Sequence, residues 1–447
     1  MKKLFIVSIA VVLCLGLTLP AAADVKMSGG INFLAYYLTG TPETQQASAE
    51  MSPFGLPGYA DKGTPDQLAA FGKPDPSIDD RKTLQMNLSN LLTYIRGTYT
   101  NQKGTYGATI AIHGGQINNW YSGYEVQMGS TYMWWMIMPN VKVEIGKISQ
   151  FIGGLGPSSI IEHTEYFRSY DPYAVYPEGI GGTPVAGLTS FGNMSTTSIP
   201  GIAIDVKVND MVSVIFGIYD PDDDGSPGIT LVTNAGGTAQ EELTFPRLDI
   251  AVPIKWGNFY IQPVASYIKR KYENVVPTSD DDFGCWLIGA SASVKIGPVT
   301  LSGEYVHGKN IGANNYSGPG STSAWPQLWT DSNGYRHIED VTDNAWWFQA
   351  KWQITPKIYI QGAYGQWKGD SDVSPSTIDD YNYKRSGYIF NLWYAVGPNF
   401  FIVPSYSHEN LGSDITYPFD AAFDPDNTLE WSFGEVDFYG VGFYMVF

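Results

Sequence analysis

An all-β fold is predicted by the way apolar residues alternate along this 447-residue chain. At the carboxyl end every second position is apolar, which is the period of a β-strand with one apolar face: Tyr439, Val441, Phe443, Met445 and Phe447. Alternating segments also flank seven tight turns, at 101–104, 139–140, 209–210, 257–258, 297–298, 355–357 and 397–399. Beyond the amino terminus, no apolar run approaches the roughly 18 residues that a membrane-spanning helix needs. If the chain crosses a bilayer, it therefore does so with strands.

The amino terminus has the pattern of an export signal. Lys2 and Lys3 precede an apolar run that ends near Leu19, and small residues follow at 21–23. We expect cleavage after Ala23, which divides the chain into a signal peptide (1–23) and a single domain (24–447). Cys285 is then the only cysteine of the mature chain, so neither an internal disulfide nor a multi-cysteine metal or haem site can form.

Composition limits the class of protein further. The chain has 30 Tyr, 49 Gly and 13 Trp, with 14% aromatic and only 16% charged residues, which favours aromatic girdles and many turns over a charged soluble surface. The formal charge of −18 argues against a nucleic-acid partner.

The connections between strands are of two kinds. The seven hairpins give about 14 strands, and the first segment (25–38) and the last bring the total to about 16, an even number as in single-chain bacterial barrels. The other connections are much longer: 39–81, 114–127, 149–198, 220–244, 273–282, 309–342, 369–382 and 410–433. Short turns at one rim and long loops at the other predict a transmembrane antiparallel up-and-down β-barrel, whereas a sandwich or propeller would scatter its long loops over both ends.

Two local features interrupt the pattern. Apolar parity switches between Lys82 and Thr100, which predicts a bulge or bend. Pro253, Pro263 and Pro404 fall inside predicted strands, where the missing N–H would interrupt the hydrogen-bond ladder.

The signal peptide, the terminal Phe447, the strand count and the loop asymmetry together resemble the 16-stranded outer-membrane porins of Gram-negative bacteria. The resemblance covers the whole mature chain and is to a class, because no family-specific motif carries it. It implies an outer-membrane diffusion channel for small hydrophilic solutes, usually a homotrimer, with Phe447 as the assembly signal. It also implies that the third long loop folds into the lumen and narrows it.

Candidate pore residues follow from this resemblance and from strand parity. The third loop carries four carboxylates and one cation, which we predict to lie at the constriction: Glu162, Glu165, Arg168, Asp171 and Glu178. Inward positions, taken as opposite to the apolar face, predict the pore wall: Lys142, Glu144, Asp205, Arg247, Asp249, Gln262, Glu304 and Lys351. Loop carboxylates opposed to wall cations would produce a transverse field that selects solutes by charge. Solvated loop charges or local ion pairs are the alternative. We expect a preference for cations.

The fourth long loop contains a partial calcium motif. Asp220, Asp222 and Asp224 occupy positions 1, 3 and 5 of a calcium loop, and Gly225 occupies position 6. Leu231 stands where the last ligand is expected, so a solvated acidic loop remains the alternative to a Ca²⁺ site. No other cofactor is expected.

Three further functions compete with the channel. The barrel could be a sheath for a separate electron-carrying or export protein, since the chain has no haem attachment motif of its own. An outer-membrane hydrolase would need a Ser or Asp beside one of the five scattered histidines, although no nucleophile elbow, phosphate loop or Rossmann glycine pattern is present, so no enzyme is expected. A soluble exported β protein is the last alternative.

Overall fold

The computed structural model describes fourteen stretches of the chain, which hold 23 strands. The described residues are 23–40, 81–88, 94–118, 123–149, 198–220, 240–242, 245–273, 282–311, 327–330, 336–370, 382–410, 415–416, 430–431 and 435–447. The strands are β1 (Ala23–Gly40), β2 (Arg81–Leu88), β3 (Tyr94–Asn101), β4 (Tyr106–Asn118), β5 (Gly123–Met138), β6 (Val141–Ser149), β7 (Ser198–Lys207), β8 (Ser213–Tyr219), β9 (Gln240–Glu242), β10 (Arg247–Ala251), β11 (Ile254–Trp256), β12 (Phe259–Glu273), β13 (Asp282–Ile296), β14 (Val299–Lys309), β15 (Gln327–Thr330), β16 (Arg336–Glu339), β17 (Thr342–Thr355), β18 (Ile358–Asp370), β19 (Asn382–Ala395), β20 (Phe400–Asn410), β21 (Ile415–Thr416), β22 (Glu430–Trp431) and β23 (Glu435–Val446).

These strands form a closed antiparallel barrel with sixteen wall positions, which confirms the predicted fold class. Two positions are filled by broken strands: β2 and β3 both pair with β1, whereas β9, β10 and β11 all pair with β12. The last strand, β23, pairs with β20 on one side and with β1 on the other, so the sheet has closed on itself. β15 and β16 pair with each other in a separate two-stranded sheet, which is not part of the barrel wall.

All seven predicted turns are present, and antiparallel pairing places them at one end of the barrel, here called the turn end. Gly257 and Gly297 open two-residue turns with φ of 58°, a conformation that glycine adopts without a steric penalty. In the turn after β7, Lys207 Nζ donates a hydrogen bond to Asp210 Oδ1 at 2.7 Å. This hydrogen bond and the positive charge of Lys207 hold the pKa of the Asp210 carboxyl below its usual value. The opposite end is called the loop end.

One predicted long connection is mostly strand. β4 continues to Asn118 and β5 begins at Gly123, so the prediction of a loop over 114–127 was wrong for most of that range. Pairing continues through Gly114↔Val126 and Gly115↔Glu125. Backbone hydrogen bonding to a neighbouring strand thus overrides the weak β propensity of two adjacent glycines.

Both sequence irregularities have structural counterparts. Phe33 of β1 is paired with Leu88 of β2, and Gly30 of β1 is paired with Tyr94 of β3. Between these two pairs β1 advances by three residues, whereas its partner advances by six. The three additional residues reverse the side-chain parity between β2 and β3. Two of the three prolines interrupt a ladder as predicted, whereas Pro263 lies within β12, whose register with β13 continues through Pro263↔Ala290. Pro253 lies in the gap between β10 and β11, and the β19–β20 register has a gap opposite Pro404.

The two faces of the wall differ in chemistry. In β10, Leu248 and Ile250 are exposed on the outer face, whereas Arg247, Asp249 and Ala251 are buried on the inner face. The same alternation of exposed apolar residues and inward side chains continues around the barrel. The inner face also carries an apolar cluster that parity did not predict: Ala251, Val264, Leu287, Val306, Ile311, Ala345 and Trp367.

The barrel closes at Gly29 and Phe447. The Gly29 N–H donates to the Phe447 carbonyl at 2.8 Å, and the Phe447 N–H donates to the Gly29 carbonyl at 2.9 Å. A Cβ at Gly29 would lie 2.5 Å from the Phe447 ring and 2.7 Å from the Tyr94 carbonyl oxygen. The terminal aromatic residue therefore packs on a glycine at the seam between the first and last strands.

We expect Gly29→Ala to destabilise the barrel by about 1–3 kcal/mol, because the Tyr94 carbonyl is backbone and cannot move without disturbing the sheet. Urea unfolding in lipid vesicles measures the effect. Gly362→Ala is the matched control, since its Cβ would have only an ordinary contact of 3.8 Å with the Ile389 carbonyl. Equal stabilities of the two variants would contradict the close packing at the seam.

Candidate functional site

The lumen wall is the candidate site, and the structure places the predicted residues in three groups. The constriction residues (Glu162, Glu165, Arg168, Asp171 and Glu178) and two of the predicted calcium ligands (Asp222 and Asp224) lie outside the described residues. Asp220 is exposed just after β8, and its N–H donates to the Pro200 carbonyl at 2.9 Å. The eight predicted wall residues all lie on the inner face of their strands.

A charged triad lies on β6 and β7. Lys142 Nζ lies 2.9 Å from Glu144 Oε1, and both side chains are partly exposed. Asp205 is directly opposite Lys142 in the β6–β7 register, because an inward residue pairs with an inward residue. Among the described residues, Asp205 Oδ1 has no hydrogen-bond donor. Lys142 is thus paired with one carboxylate, Glu144, and lies opposite a second, Asp205.

Arg247 and Asp249 form a second, fully buried pair on β10. Arg247 Nη2 lies 2.9 Å from Asp249 Oδ2, and Nε lies 3.1 Å from Oδ1, so the contact is bidentate. Both side chains have 0% exposure. The guanidinium also lies 4.8 Å from the ring centroid of Tyr219. Because no solvent reaches this pair, it acts as part of the wall rather than as a contact for a solute.

The remaining wall residues lie on β12, β14 and β17. Gln262 accepts a hydrogen bond from the Tyr260 hydroxyl, and Glu304 is buried opposite Ser291. Lys351 extends over the ring of Tyr359. A polar network that the sequence did not predict lies beside them: Gln361 Nε2 donates to Gln349 Oε1 at 2.9 Å, and Gln349 Nε2 donates to Ser302 Oγ at 3.3 Å.

An open cavity of about 420 Å³ lies against the inner face of β3 to β6. It is lined by Arg96, Thr98, Thr100, Gly104, Thr109, Tyr132, Trp134, Met136, Lys142 and Glu144. Arg96 is exposed and has no carboxylate partner among the described residues. Sequence reasoning missed it because the parity reversal hid the inner face of β3, although the alternation around Ile95 could have revealed it. The cavity lining therefore combines hydroxyls, aromatic rings and two cations with one carboxylate.

Two histidines of the described stretches each have a side-chain oxygen as the partner of Nδ1. His408 Nδ1 lies 3.0 Å from Asp437 Oδ1, and His307 Nδ1 lies 2.9 Å from Asn344 Oδ1. Within the described residues, neither imidazole is hydrogen-bonded to a serine, and the hydroxyl that donates to Asp437 Oδ1 is that of Tyr406. The described stretches contain no metal-binding group of three or more His, Cys, Asp or Glu residues. They also contain no helix with the length and apolar character for a membrane span.

A closed ring of sixteen antiparallel strands, apolar outside and charged or polar at many inner positions, is the architecture of the outer-membrane porins. The fold is similar to that of the outer-membrane channel DcaP of Acinetobacter baumannii, with 15% identity, 96% of this chain and 98% of that chain covered, and a TM-score of 0.59. The chain is also similar to an anion-selective porin from Comamonas acidovorans, with 12% identity, 95% and 100% coverage, and a TM-score of 0.49.

A trimeric form of OmpT from Vibrio cholerae has 10% identity, 95% and 100% coverage, and a TM-score of 0.47. At these identities, and at two TM-scores below 0.5, the likeness concerns the fold alone. No protein-family model matches the chain. No curated protein matches it either.

Proposed function

We propose that this protein is a passive diffusion channel for small hydrophilic solutes in the outer membrane of a Gram-negative bacterium. The observation that carries the proposal is the closed sixteen-position wall with exposed apolar side chains outside and a partly open, polar cavity inside. A barrel of this size is too wide for wall side chains to fill, so it leaves an aqueous path. Solutes cross down their gradients, and no covalent step is involved.

Reconstitution into liposomes tests the proposal. Purified protein should make the vesicles swell in small sugars and should produce single-channel conductance in planar bilayers. Heat-denatured protein at the same concentration is the control. Folded protein that inserts but shows neither swelling nor conductance would contradict the channel function.

The orientation and assembly belong to the same proposal. The turn end faces the periplasm and the loop end faces outward, as the short and long connections of outer-membrane barrels do. The third long loop narrows the lumen with its carboxylates, and three copies of the chain assemble as a trimer. Crosslinking in native membranes followed by mass determination tests the trimer.

Ion preference is proposed from opposing contributions. The net charge of −18 and the acidic third loop favour cations, whereas the open cavity carries Arg96 and Lys142 against only Glu144. Lys142 is neutralised locally by Glu144 at 2.9 Å, which leaves Arg96 as the dominant cation of the described cavity. Cation preference overall therefore requires the loop carboxylates to outweigh Arg96.

We expect Arg96→Gln to raise the permeability ratio of cations to anions by up to about tenfold, because one charge acting over about 6 Å of water changes the energies of a cation and an anion by about 0.7 kcal/mol each, in opposite directions. The reversal potential in a salt gradient measures this ratio, and the shift should shrink at high ionic strength. Lys103→Gln, in the turn of the same hairpin, removes an exposed charge outside the cavity and serves as the control. An identical ratio in wild type and Arg96→Gln would show that Arg96 does not face the ion path.

A further inference from the structure

One group of five aromatic side chains on the inner face of the barrel extends across the seam between the last and first strands, where anchoring to lipid does not explain it. They are Tyr94 on β3, Tyr359 on β18, Trp393 on β19, Phe401 on β20 and Tyr444 on β23, and we call them the inner aromatic arc. Each residue is at an inner position of its strand, because it lies an even number of residues from buried inner residues or lies beside exposed outer residues. Tyr444, for example, lies between the exposed residues Phe443 and Met445.

Four rings of the arc are in contact. Tyr359 stacks on Trp393 with 5.2 Å between centroids and 15° between planes. Trp393 meets Phe401 edge-on at 5.9 Å and Tyr444 edge-on at 6.4 Å. Phe401 and Tyr444 are stacked at 6.5 Å. The rings thus form one aromatic surface across four consecutive wall positions, β18, β19, β20 and β23.

A glycine connects this surface to the fifth ring. Gly30 pairs with Val446 on one side and with Tyr94 on the other, so it occupies the inner face of β1 between the two halves of the arc. Since glycine has no side chain, Gly30 places no side chain between the two halves of the arc. Tyr94 is next to Arg96, which lines the open cavity, so the arc continues into the cavity.

Cations mark both ends of the arc. Lys351 Nζ lies 3.7 Å from the centroid of Tyr359, and Arg96 Cζ lies 5.8 Å from the centroid of Tyr94. A cation over the face of an aromatic ring is attracted by the negative face of the ring, so Lys351 and Arg96 stabilise the positions of Tyr359 and Tyr94. Between these ends, Phe401 and Tyr444 are partly exposed, so the middle of the arc is not closed by packing.

Trp393 supplies an additional sign of an incomplete site. Its side chain is only 8% exposed, and its indole N–H has no hydrogen-bond acceptor among the described residues. A buried donor without an acceptor is costly, and an acceptor from water or a bound molecule relieves that cost. The arc also lies near the turn end, since Tyr359 and Phe401 are each the second residue of their strands.

We infer that the inner aromatic arc is a binding site for small solutes that carry an aromatic ring, which pack against Phe401 and Tyr444 as they cross the turn end of the lumen. This inference rests on the proposed channel function and adds a substrate class to it. Offset-stacked and edge-on ring contacts stabilise a bound aromatic ring beyond simple area burial. Solutes without an aromatic ring pass the same wall without this contact.

Current blockage in planar bilayers tests the site with a matched pair of neutral solutes. Phenyl β-D-glucopyranoside should interrupt the open-channel current with measurable dwell times, whereas methyl β-D-glucopyranoside should not. Tyr444→Leu should weaken the apparent affinity for the phenyl compound about three- to tenfold, the range expected for loss of one ring contact. Phe443→Leu, at the adjacent outer position, should leave blockage unchanged.

Phe401→Leu provides a second inner variant in case Tyr444→Leu does not assemble, with Phe400→Leu as its outer-face control. Equal blockage by the phenyl and methyl compounds, or equal blockage in the inner and outer variants, would overturn the aromatic site while leaving the channel intact. Folded protein with no conductance at all would instead overturn the channel. The two failures are therefore distinguishable.

Discussion

Asp249→Ala is expected to lower the free energy of unfolding by about 3–5 kcal/mol, the cost of removing one partner from a buried ion pair. Arg247 and Asp249 are both fully buried and joined by two hydrogen bonds. Without the carboxylate, the guanidinium loses its bidentate acceptor in a place that water does not reach. The Tyr219 ring would still contact Arg247, but an aromatic face compensates only part of a lost carboxylate.

Equilibrium unfolding in urea, followed by tryptophan fluorescence in lipid vesicles, measures this change. The double variant Arg247→Met/Asp249→Val is the control, because it removes both charges and approximately keeps the volume of the pair. It should recover most of the loss, as replacement of a buried ion pair by apolar residues is often neutral or stabilising. An Asp249→Ala variant as stable as wild type would show that the pair is hydrated.

Met133→Lys is expected to destabilise the folded barrel in lipid by up to about 4 kcal/mol, the value for a lysine on the lipid face near the bilayer midplane. Met133 is 65% exposed on the outer face of β5. Met136 lies on the opposite face of the same strand and lines the open cavity. Met136→Lys therefore places the same charge in water and should cost much less.

The stabilities of the two variants are compared after folding into vesicles. Both variants replace a methionine of β5 with lysine, so the residue type, the strand and the substitution are the same. Equal destabilisation would contradict the assignment of the two faces. A larger loss for Met136→Lys than for Met133→Lys would contradict it more strongly, because it would place lipid inside the barrel.

Local sequence patterns were sufficient for the parts of the fold that depend on neighbouring residues in the chain. The tight turns were predicted because glycine, proline and asparagine mark them wherever they occur, as at Gly257-Asn258 and Gly297-Pro298. Inward positions such as Arg247 and Asp249 followed from parity within one strand. The loop predicted over 114–127 failed because pairing between β4 and β5 depends on the partner strand rather than on local propensity.

The parts that were not predicted depend on contacts between distant strands. Arg96 reaches the cavity only because three additional residues reverse the parity between β2 and β3. The inner aromatic arc joins Tyr94 to Tyr444 across Gly30, and these residues are far apart in sequence. Parity identifies an inner position, but the neighbours of that position depend on the register of the whole barrel.

Lipid should cover the outer face of the barrel, and water should fill part of the lumen. Nitroxide labels along β5, introduced singly at 132–137 in a Cys285→Ser background and measured by EPR in bilayers, distinguish the two environments. Labels at Met133, Trp135 and Ile137 should be accessible to oxygen from the lipid, and labels at Tyr132, Trp134 and Met136 to a water-soluble nickel chelate. Loss of this alternation, with both sets shielded from both reagents, would show a packed interior and contradict the account.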